Sequence, residues 1–451
     1  MIELTAEQAA LLDYVEQNDS HIFVTGRAGT GKSTLLSQLI ETTGKRVAVC
    51  APTGVAALNV RGMTIHSLFT FPLGMLAEVD LSRHMSRRTR EILRAIDLLV
   101  IDEISMVSAD LLDAMSRALG IARGKRREPF GGVQLVMFGD PYQLAPVPPS
   151  DNAEKALLAE TYRSNWFFDA KVWREADLER YELTEIFRQR DEDFKLLLNS
   201  IRDGTITDQM LAELNSAGNR EAANPDIIRL ATINETVQTI NQSRLAELPG
   251  ESRFFEAKYT EDAARIFGRA LPVETRLELK VGAQVMFIKN DEFSASRAES
   301  GSARRWVNGT LGRIIDFPSE KTVLVEADGV QHEVGRSSWE KVRYEVEQDF
   351  DEETGKTREI TVPVTLAEIS QIPLRTAWAV TIHKSQGQSY DSAQIDLGRG
   401  AFVPGQTYVA LSRVRSLAGL YLNRPIRRSD IMVDQAVNEF MSDALPANRL
   451  F

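Results

Sequence analysis

The chain has a single cysteine in 451 residues. One cysteine excludes an internal disulfide framework and a cysteine-built zinc site within the chain. Cys50 closes the apolar run Val47-Ala48-Val49 and reads as a small core residue. Histidine is scarce as well: five residues, scattered, leave no histidine metal cluster. Long apolar runs are missing, and no stretch approaches the roughly 20 residues of a membrane-spanning helix. The opening MIELTAEQAALLDYVEQND has neither the basic and apolar regions of a secretory signal nor the arginine-rich character of a transit peptide. A cytoplasmic protein with no membrane partner is therefore expected. Positive charge is also in deficit, with 53 Lys and Arg against 64 Asp and Glu and a net charge of −11. That argues against coating nucleic acid. It leaves room for a single strand threaded through a local groove, where only the nearby field counts. Basic residues gather in RHMSRRTREILR at 83–94 and RGKRR at 123–127. Each run reads equally as a solvated face or a functional patch.

The length exceeds what one core supports, so several domains are expected. From residue 1 to about 190, strand-like apolar runs alternate with helical patterns, as in a parallel sheet covered by helices. Residues 68–94 interrupt the alternation and read as an insertion. After about 251 the segments become short and β-rich, with Asp328-Gly329 as a hairpin turn and Thr354-Gly355 as the tip of an acidic hairpin. The α/β pattern returns near 373.

The most informative segment is GRAGTGKS at 26–33. It fits the G-x-x-x-x-G-K-[ST] phosphate-binding loop, and its flanks supply the strand (His21–Thr25) and the helix (Thr34–Ile40) that such a loop needs. Glycines let backbone N–H groups turn inward on phosphate oxygens, and the helix N-terminus adds favourable charge. Gly26, Ala28, Gly29, Thr30, Gly31, Lys32, Ser33 and Thr34 are thus candidate ATP-binding residues. Lys32 would reach the outer phosphates and Ser33 would hold Mg²⁺. The run DLLVIDE at 97–103 delivers Asp102 and Glu103 to a strand end, the first as a Mg²⁺ ligand and the second as the base for the attacking water. Gln143 follows another strand and could sense the terminal phosphate. Arg188 and Arg413 are candidate charge clamps for phosphoryl transfer; in isolation each is also an ordinary ion-pair partner.

In this order the pieces resemble a superfamily 1 helicase of the 5′→3′ group, and within it the Pif-one family of DNA helicases. LTAEQ at 4–8 resembles the adenine-reading element, with Gln8 as reader. GRAGTGKST matches motif I, LVIDEISMV (99–107) motif II, FGDPYQLAPV (138–147) motif III, and LTEIFRQ (183–189) motif IV. TAWAVTIHKSQGQSYD (376–391) matches motif V, which brings in Gly387 as a nucleotide contact, and TYVALSRV (407–414) matches motif VI. The stretch from Asp110 through REPFGGVQ (127–134) resembles the segment that sets this family apart from its RecD-like relatives. Ala145 departs from the usual proline. The family's long N-terminal regions do not appear, which suggests a minimal bacterial or phage-like core.

The resemblance implies an α/β protein of two RecA-like P-loop domains, with a small wedge insertion in the first and an SH3-like β insertion in the second. The expected limits are 1–190 for the first domain, with the wedge at about 68–94. The second would take 191–289 plus 373–451, with the insertion at 290–372. The implied activity is ATP- and Mg²⁺-dependent 5′→3′ translocation on single-stranded DNA with unwinding of duplex or structured DNA, in a family tied to DNA repair, recombination and telomere maintenance. RNA or RNA–DNA hybrids as substrate, and an ATP-gated recombination accessory that does not unwind, are the alternatives. The expected partners are single-stranded DNA and single-strand/duplex junctions, bound by a monomer or by a dimer formed on DNA. APTGVAA (51–57) and TIHSLF (64–69) resemble strand-contacting motifs, so Pro52, Thr53, Gly54, Thr64, His66 and Ser67 are candidate DNA contacts, with His383, Lys384 and Ser385 in the second domain. Short polar donors would grip phosphates without regard to sequence. Phe69 and Phe71 are the favoured base-stacking residues, ahead of Trp378.

Overall fold

The computed structural model describes residues 4–72, 74–189, 191–222, 224–260, 271–291, 305–351 and 356–442. The chain packs as two units: Met1–Phe187 with Val342–Leu366 and Asp434–Phe451, and Arg188–Lys341 with Ala367–Val433. Thr354-Gly355, the expected hairpin tip, lies outside the described residues.

The first unit is built on six strands: β1 His21–Gly26, β2 Val47–Ala51, β3 Met63–Thr64, β4 Leu98–Ile101, β5 Gln134–Phe138 and β6 Leu178–Leu183. They form one sheet in the order β3-β2-β4-β5-β1-β6, with every pair parallel. A strand's side chains alternate between faces, and here both faces are apolar. Phe23, Ala48, Leu99, Ile101, Leu135 and Met137 enter one core, whereas Ile22, Val24, Val49, Leu98, Val100, Val136 and Phe138 enter the other. This explains why these runs read as continuous apolar stretches rather than alternating ones.

The segment expected to be the wedge insertion is strongly tied to the body of the first unit. Leu68, Phe69, Phe71, Leu76, Leu81, Met85, Ile92 and Leu93 all join the first core. Polar bonds fasten its middle: the Leu76 N–H donates to Asp110 Oδ2 at 2.7 Å, Met75 N–H to Glu154 at 3.1 Å, and Arg117 donates to the carbonyls of Leu76 (2.6 Å) and Ala77 (3.2 Å). Asp110 and Arg117 lie on the helix Ala109–Arg123, capped by the Ser108 hydroxyl. The helix Gln435–Ser442 is a departure. Its sequence position assigns it to the second domain, yet Val437 and Phe440 lie in the first unit's core. Phe440 stacks on Phe168 at 4.2 Å, the Arg180 guanidinium covers its ring at 4.2 Å, and Trp166 Nε1 donates to Asp434 at 2.8 Å.

The second unit adds β7 Ile228–Ala231, β8 Arg253–Glu256, β9 Lys258–Tyr259, β10 Arg276–Leu279, β11 Gln284–Phe287, β12 Leu311–Asp316, β13 Val323–Ala327 and β14 Val330–Val334. The long strands β15 Ser337–Asp351 and β16 Lys356–Gln371 follow, then β17 Leu374–Thr376, β18 Ala379–Thr381, β19 Ala393–Asp396 and β20 Leu420–Leu422. β18-β7-β19-β20 form a parallel sheet. β14-β13-β12-β11-β17 form an antiparallel one around Leu277, Val285, Phe287, Trp306, Val323 and Val325. That sheet starts earlier and ends later than the expected limits of 290 and 372, because β11 and β17 are its members. Asp328 (φ 51°) and Gly329 (φ 74°) make the expected turn between β13 and β14.

Candidate nucleotide and nucleic-acid sites

β4, β5 and β1 are parallel neighbours, so the loops leaving their C-terminal ends emerge at one sheet edge. Those loops are the P-loop after β1, Asp102-Glu103 after β4, and Asp140–Gln143 after β5. Gly139 permits their close approach: a Cβ there would come within 2.8 Å of the Ile104 side chain and 3.1 Å of its backbone nitrogen.

In the P-loop, the Lys32 ammonium donates to the carbonyls of Gly26 (2.6 Å) and Arg27 (3.1 Å), which places it inside the curl of the loop. Ala28 and Thr30 are buried, and the Thr30 hydroxyl braces the loop through Arg27 O at 3.0 Å. Gly31 adopts φ +83°, and a side chain there would meet Gln8 Nε2 at 2.7 Å. Gln8 is fixed by a capping box with Thr5 and donates to Thr30 O at 3.5 Å. Ser33 is exposed at the start of the helix Lys32–Thr42, and Thr34 is half-buried behind it.

Glu103 takes a left-handed backbone (φ 51°, ψ 45°), a strained conformation for a non-glycine residue. Its N–H donates to Asp102 Oδ1 at 2.9 Å. Burial, and then the neighbouring Glu103 carboxylate, push the Asp102 carboxyl well above its usual range, while Lys32 pulls it back. A half-buried carboxyl with a like-charged neighbour is short of positive charge. A divalent cation would supply it, so the residues fit the Mg²⁺ role expected for Ser33 and Asp102. Gln143 is buried and its amide donates to Asp140 at 3.3 Å. Phe187 was not singled out from sequence. Its N–H donates to Gly29 O at 2.9 Å, and its half-exposed ring stands beside Gly31. Its place between the last strand of the sheet and Arg188 was the available signal.

The two candidate arginines lie together in the second unit. Arg188 donates to the carbonyls of Ser412 (3.3 Å) and Gly387 (3.4 Å). Burial, and then the like charge of Arg413, bring its guanidinium down to about 9. Arg413 is only 1% exposed and donates to Val409 O at 2.9 Å and Ser412 Oγ at 2.7 Å. Gln189, also unread in the sequence, is buried and bridges the carbonyls of Ser412 (3.1 Å) and Val414 (3.3 Å), fixing the loop that carries Arg413.

The expected nucleic-acid contacts divide. Thr53 and Thr64 cap short helices at the C-terminal ends of β2 and β3, accepting from the N–H groups of Ala56 and Ser67. Pro52 is half-buried, Gly54 has open space around it, and Ser67 bonds Thr64 at 2.8 Å. His383 and Lys384 are exposed at the end of β18. Partial desolvation holds the rings of both His66 and His383 below the ordinary histidine range. Three of the expected contacts, Phe69, Phe71 and Ser385, are buried. Phe69 and Phe71 are buried and stacked on each other at 5.1 Å, which spends their faces in the core. Ser385 is fully buried and its hydroxyl donates to Ile382 O at 2.8 Å. Trp378 is likewise a core residue. Within the basic runs, Arg87 forms an exposed pair with Glu91 at 3.0 Å, whereas Arg123 braces the fold by donating to the carbonyls of Gly131 (2.9 Å) and Arg94 (2.8 Å). Among the described residues, no cluster of three or more His, Cys, Asp or Glu forms a metal cage, and no helix is long and apolar enough to cross a membrane.

Comparison with known proteins gives the same direction. The profile of the PIF1-like helicases matches residues 3–211. The rat ATP-dependent DNA helicase PIF1 is 36% identical over 430 residues, covering 93% of this chain and 61% of the rat protein. The chain thus spans about three fifths of that relative's length. The Bdellovibrio bacteriovorus ATP-dependent DNA helicase Pif1 is 32% identical, with 97% of this chain and 92% of that one covered. A crystal structure of Bacteroides Pif1 in complex with ADP-AlF4 superposes with a TM-score of 0.85 at 34% identity, covering 98% of this chain and 97% of that one. With such coverage at both ends, and with two parallel sheets as the two RecA-like domains, the chain belongs to the PIF1-like helicase family.

Proposed function

We propose that this chain is an ATP-dependent 5′→3′ DNA helicase that translocates on single-stranded DNA and unwinds duplex or structured DNA. The observation that carries the reading is Lys32, its ammonium seated on the carbonyls of Gly26 and Arg27 inside the P-loop. That is where a triphosphate's outer phosphates would replace those carbonyls. Gln8 and the Phe187 ring would read and cover the base. Ser33 and Asp102 would hold Mg²⁺, which supplies charge neutralisation when bound. Glu103 would orient and deprotonate the attacking water, and Gln143 would report on the terminal phosphate. Arg188 and Arg413 would neutralise charge developing on the transferred phosphoryl group. Held on carbonyl oxygens, they are prepared to exchange those weak partners for an anion. Thr53, Thr64, His66, His383 and Lys384 would grip backbone phosphates, and the segment at about 68–94 would part the duplex. Three solved Pif1 structures that concern DNA, among them Bacteroides Pif1 bound to ssDNA at 35% identity, support DNA as the track.

An unwinding assay on 5′-tailed, 3′-tailed and RNA-containing duplexes, with ATP and Mg²⁺, tests substrate and polarity together. Unwinding of the 5′-tailed DNA alone is expected. Preference for the 3′-tailed duplex refutes the direction, and preference for RNA refutes the substrate. Lys32→Ala should abolish DNA-stimulated ATP hydrolysis.

A further inference from the structure

The two basic runs are used neither by the nucleotide site nor by the strand contacts above, and the fold of the first unit brings them together. Residues 83–94 and 123–128 hold nine Arg and Lys against two Glu, in a chain whose net charge is −11. In the helix Arg87–Ala95, Arg87, Arg90 and Arg94 follow at spacings of three and four and share one face. Thr89, Ile92 and Leu93, on the opposite face, are buried. Arg88, to one side, pairs with Glu345. The Arg94 Nε donates to Ala122 O at 3.1 Å, and Arg123 donates to the carbonyls of Arg94 (2.8 Å) and Ile96 (3.0 Å). These bonds join the end of that helix to the end of the helix Ala109–Arg123. The two junctions directly precede β4 and β5, so they lie at the N-terminal edge of the parallel sheet. The P-loop and the loops after β2 and β3 leave the opposite edge.

The turn that carries the second run is tightly held. Gly124 (φ 72°) caps the helix, and the Lys125 N–H returns to Gly120 O at 2.9 Å. A Cβ on Gly120 would come within 3.1 Å of the Arg126 Cα, so the turn lies flat on the helix. Phe130 keeps a left-handed backbone (φ 50°, ψ 24°), with its N–H on Ser116 Oγ at 2.9 Å and its ring fully buried. Such a conformation persists in a non-glycine residue only where the surroundings fix it. What this fixed turn presents is charge. Arg126 and Arg127 are exposed, and among the described residues neither has an ion-pair partner. Lys125 and Arg87 are exposed too, each beside one glutamate, Glu128 and Glu91. Among the described residues between 80 and 134 no large apolar side chain is exposed. A protein partner would want an apolar or aromatic anchor, and a single strand would want aromatic faces to stack on. Fixed cations without either match the regular phosphates of a duplex.

We propose that this face of the first unit is a second DNA site, a contact for the backbone of duplex DNA, separate from the single-strand contacts at the other sheet edge. Arg87, Arg126 and Arg127 each meet one phosphate, and Arg94 and Arg123 hold the two runs in register. The first unit thereby keeps hold of unopened duplex while its other edge follows the strand. The inference rests on the reading of DNA as the substrate.

The test is equilibrium binding of the full chain, without nucleotide, to a short blunt duplex and to an oligothymidylate, each over a salt series. The double variant Arg126→Gln/Arg127→Gln should weaken duplex binding and lower the slope of log K against log salt by about 1.8, the contribution of two duplex phosphates. Arg87→Gln should lower it by about 0.9. For the double variant, oligothymidylate binding and oligothymidylate-stimulated ATP turnover should stay at the parent level. Glu91→Gln and Glu128→Gln should each tighten duplex binding, a gain that misfolding cannot produce. Unchanged duplex slopes, equal losses on duplex and single strand, or no gain from either glutamate variant overturns the proposal. Polyglutamate that displaces the duplex at equal charge concentration overturns it too, because the face then selects acidic polypeptide as readily as DNA. A parent protein that binds oligothymidylate but not duplex refutes this inference alone. One that binds neither refutes DNA as the substrate as well.

Discussion

Replacing Asp110 by alanine should loosen the 75–79 segment without harming the nucleotide site. Asp110 is 3% exposed and its Oδ2 accepts the N–H of Leu76, itself 1% exposed, at 2.7 Å. Alanine leaves that N–H buried without an acceptor, a loss of about 1–3 kcal/mol. An opposing effect reduces it. Burial raises the Asp110 carboxyl above its ordinary range even though the Leu76 bond pulls it down, so removing the charge returns part of a desolvation cost. The remaining anchors, Arg117 on the Leu76 and Ala77 carbonyls and Glu154 on the Met75 N–H, limit the opening to this segment. The net destabilisation is about 1–2 kcal/mol, or roughly 5- to 30-fold in the local opening equilibrium. Asparagine keeps an acceptor at the same atom and buries no charge, so Asp110→Asn should stay close to the parent protein. Hydrogen exchange at the Leu76 amide reads this directly. Faster exchange in the alanine variant is expected, with strand separation falling more than DNA-stimulated ATP turnover. Parent-like exchange in Asp110→Ala, or a larger effect from asparagine than from alanine, refutes the reasoning.

Other outcomes follow from the same structure. Glu103→Gln should cut ATP turnover by about 10²–10⁴-fold while nucleotide affinity is retained, as measured by single-turnover kinetics and titration of a labelled nucleotide. Phe440→Ala removes a ring packed on Phe168 and covered by Arg180 and should cost about 3 kcal/mol in urea unfolding of the first unit. His21 accepts the Leu135 N–H on Nδ1 at 3.2 Å, and burial holds it below the ordinary histidine value of 6.5. The unfolded chain therefore takes up the proton first as pH falls. Its contribution is fully present above pH 6.5 and declines below that value, through the lowered folded pKa. His21→Gln should flatten part of the fall in urea midpoint between about pH 7.5 and 5.5, with His66, His332 and His383 carrying the rest.

The chemistry of the first sheet was legible because it is local. A strand, a glycine loop and a helix are contiguous in the P-loop, and the apolar run before Asp102 announces both its strand and where that strand ends. Topology then does the rest, since three parallel neighbours deliver their loops to one edge. The burial of the favoured aromatics was not legible. Phe69 and Phe71 have the composition of a stacking platform, and only the third dimension reveals that Leu76, Leu81, Met85 and Leu93 close over the same core. The burial of Ser385 was hidden for a similar reason: a hydroxyl in a motif that resembles a strand contact is indistinguishable, in one dimension, from one that returns to the carbonyl three residues back.

The unit assignments were hidden for a different reason. Sequence proximity ties residues 342–366 and 434–442 to the second domain, and their patterns say only that one is extended and the other amphipathic. An amphipathic helix specifies that it needs an apolar partner, not which one. Here the choice rests on Phe440 meeting Phe168, Phe167 and Trp173, aromatics whose own exposure could be judged only once β1 and β6 were paired. The chain consequently changes unit at 187/188, 341/342, 366/367 and 433/434. Any motion that the second unit makes must therefore be accommodated at four backbone positions rather than one. A substitution that detaches the final helix, such as Phe440→Ala, should thus disturb coupling between ATP turnover and strand separation before it disturbs either the P-loop or Arg413. The ratio of base pairs opened to ATP consumed is the quantity to measure, and an unchanged ratio in a variant shown to have lost its C-terminal helix would contradict this argument.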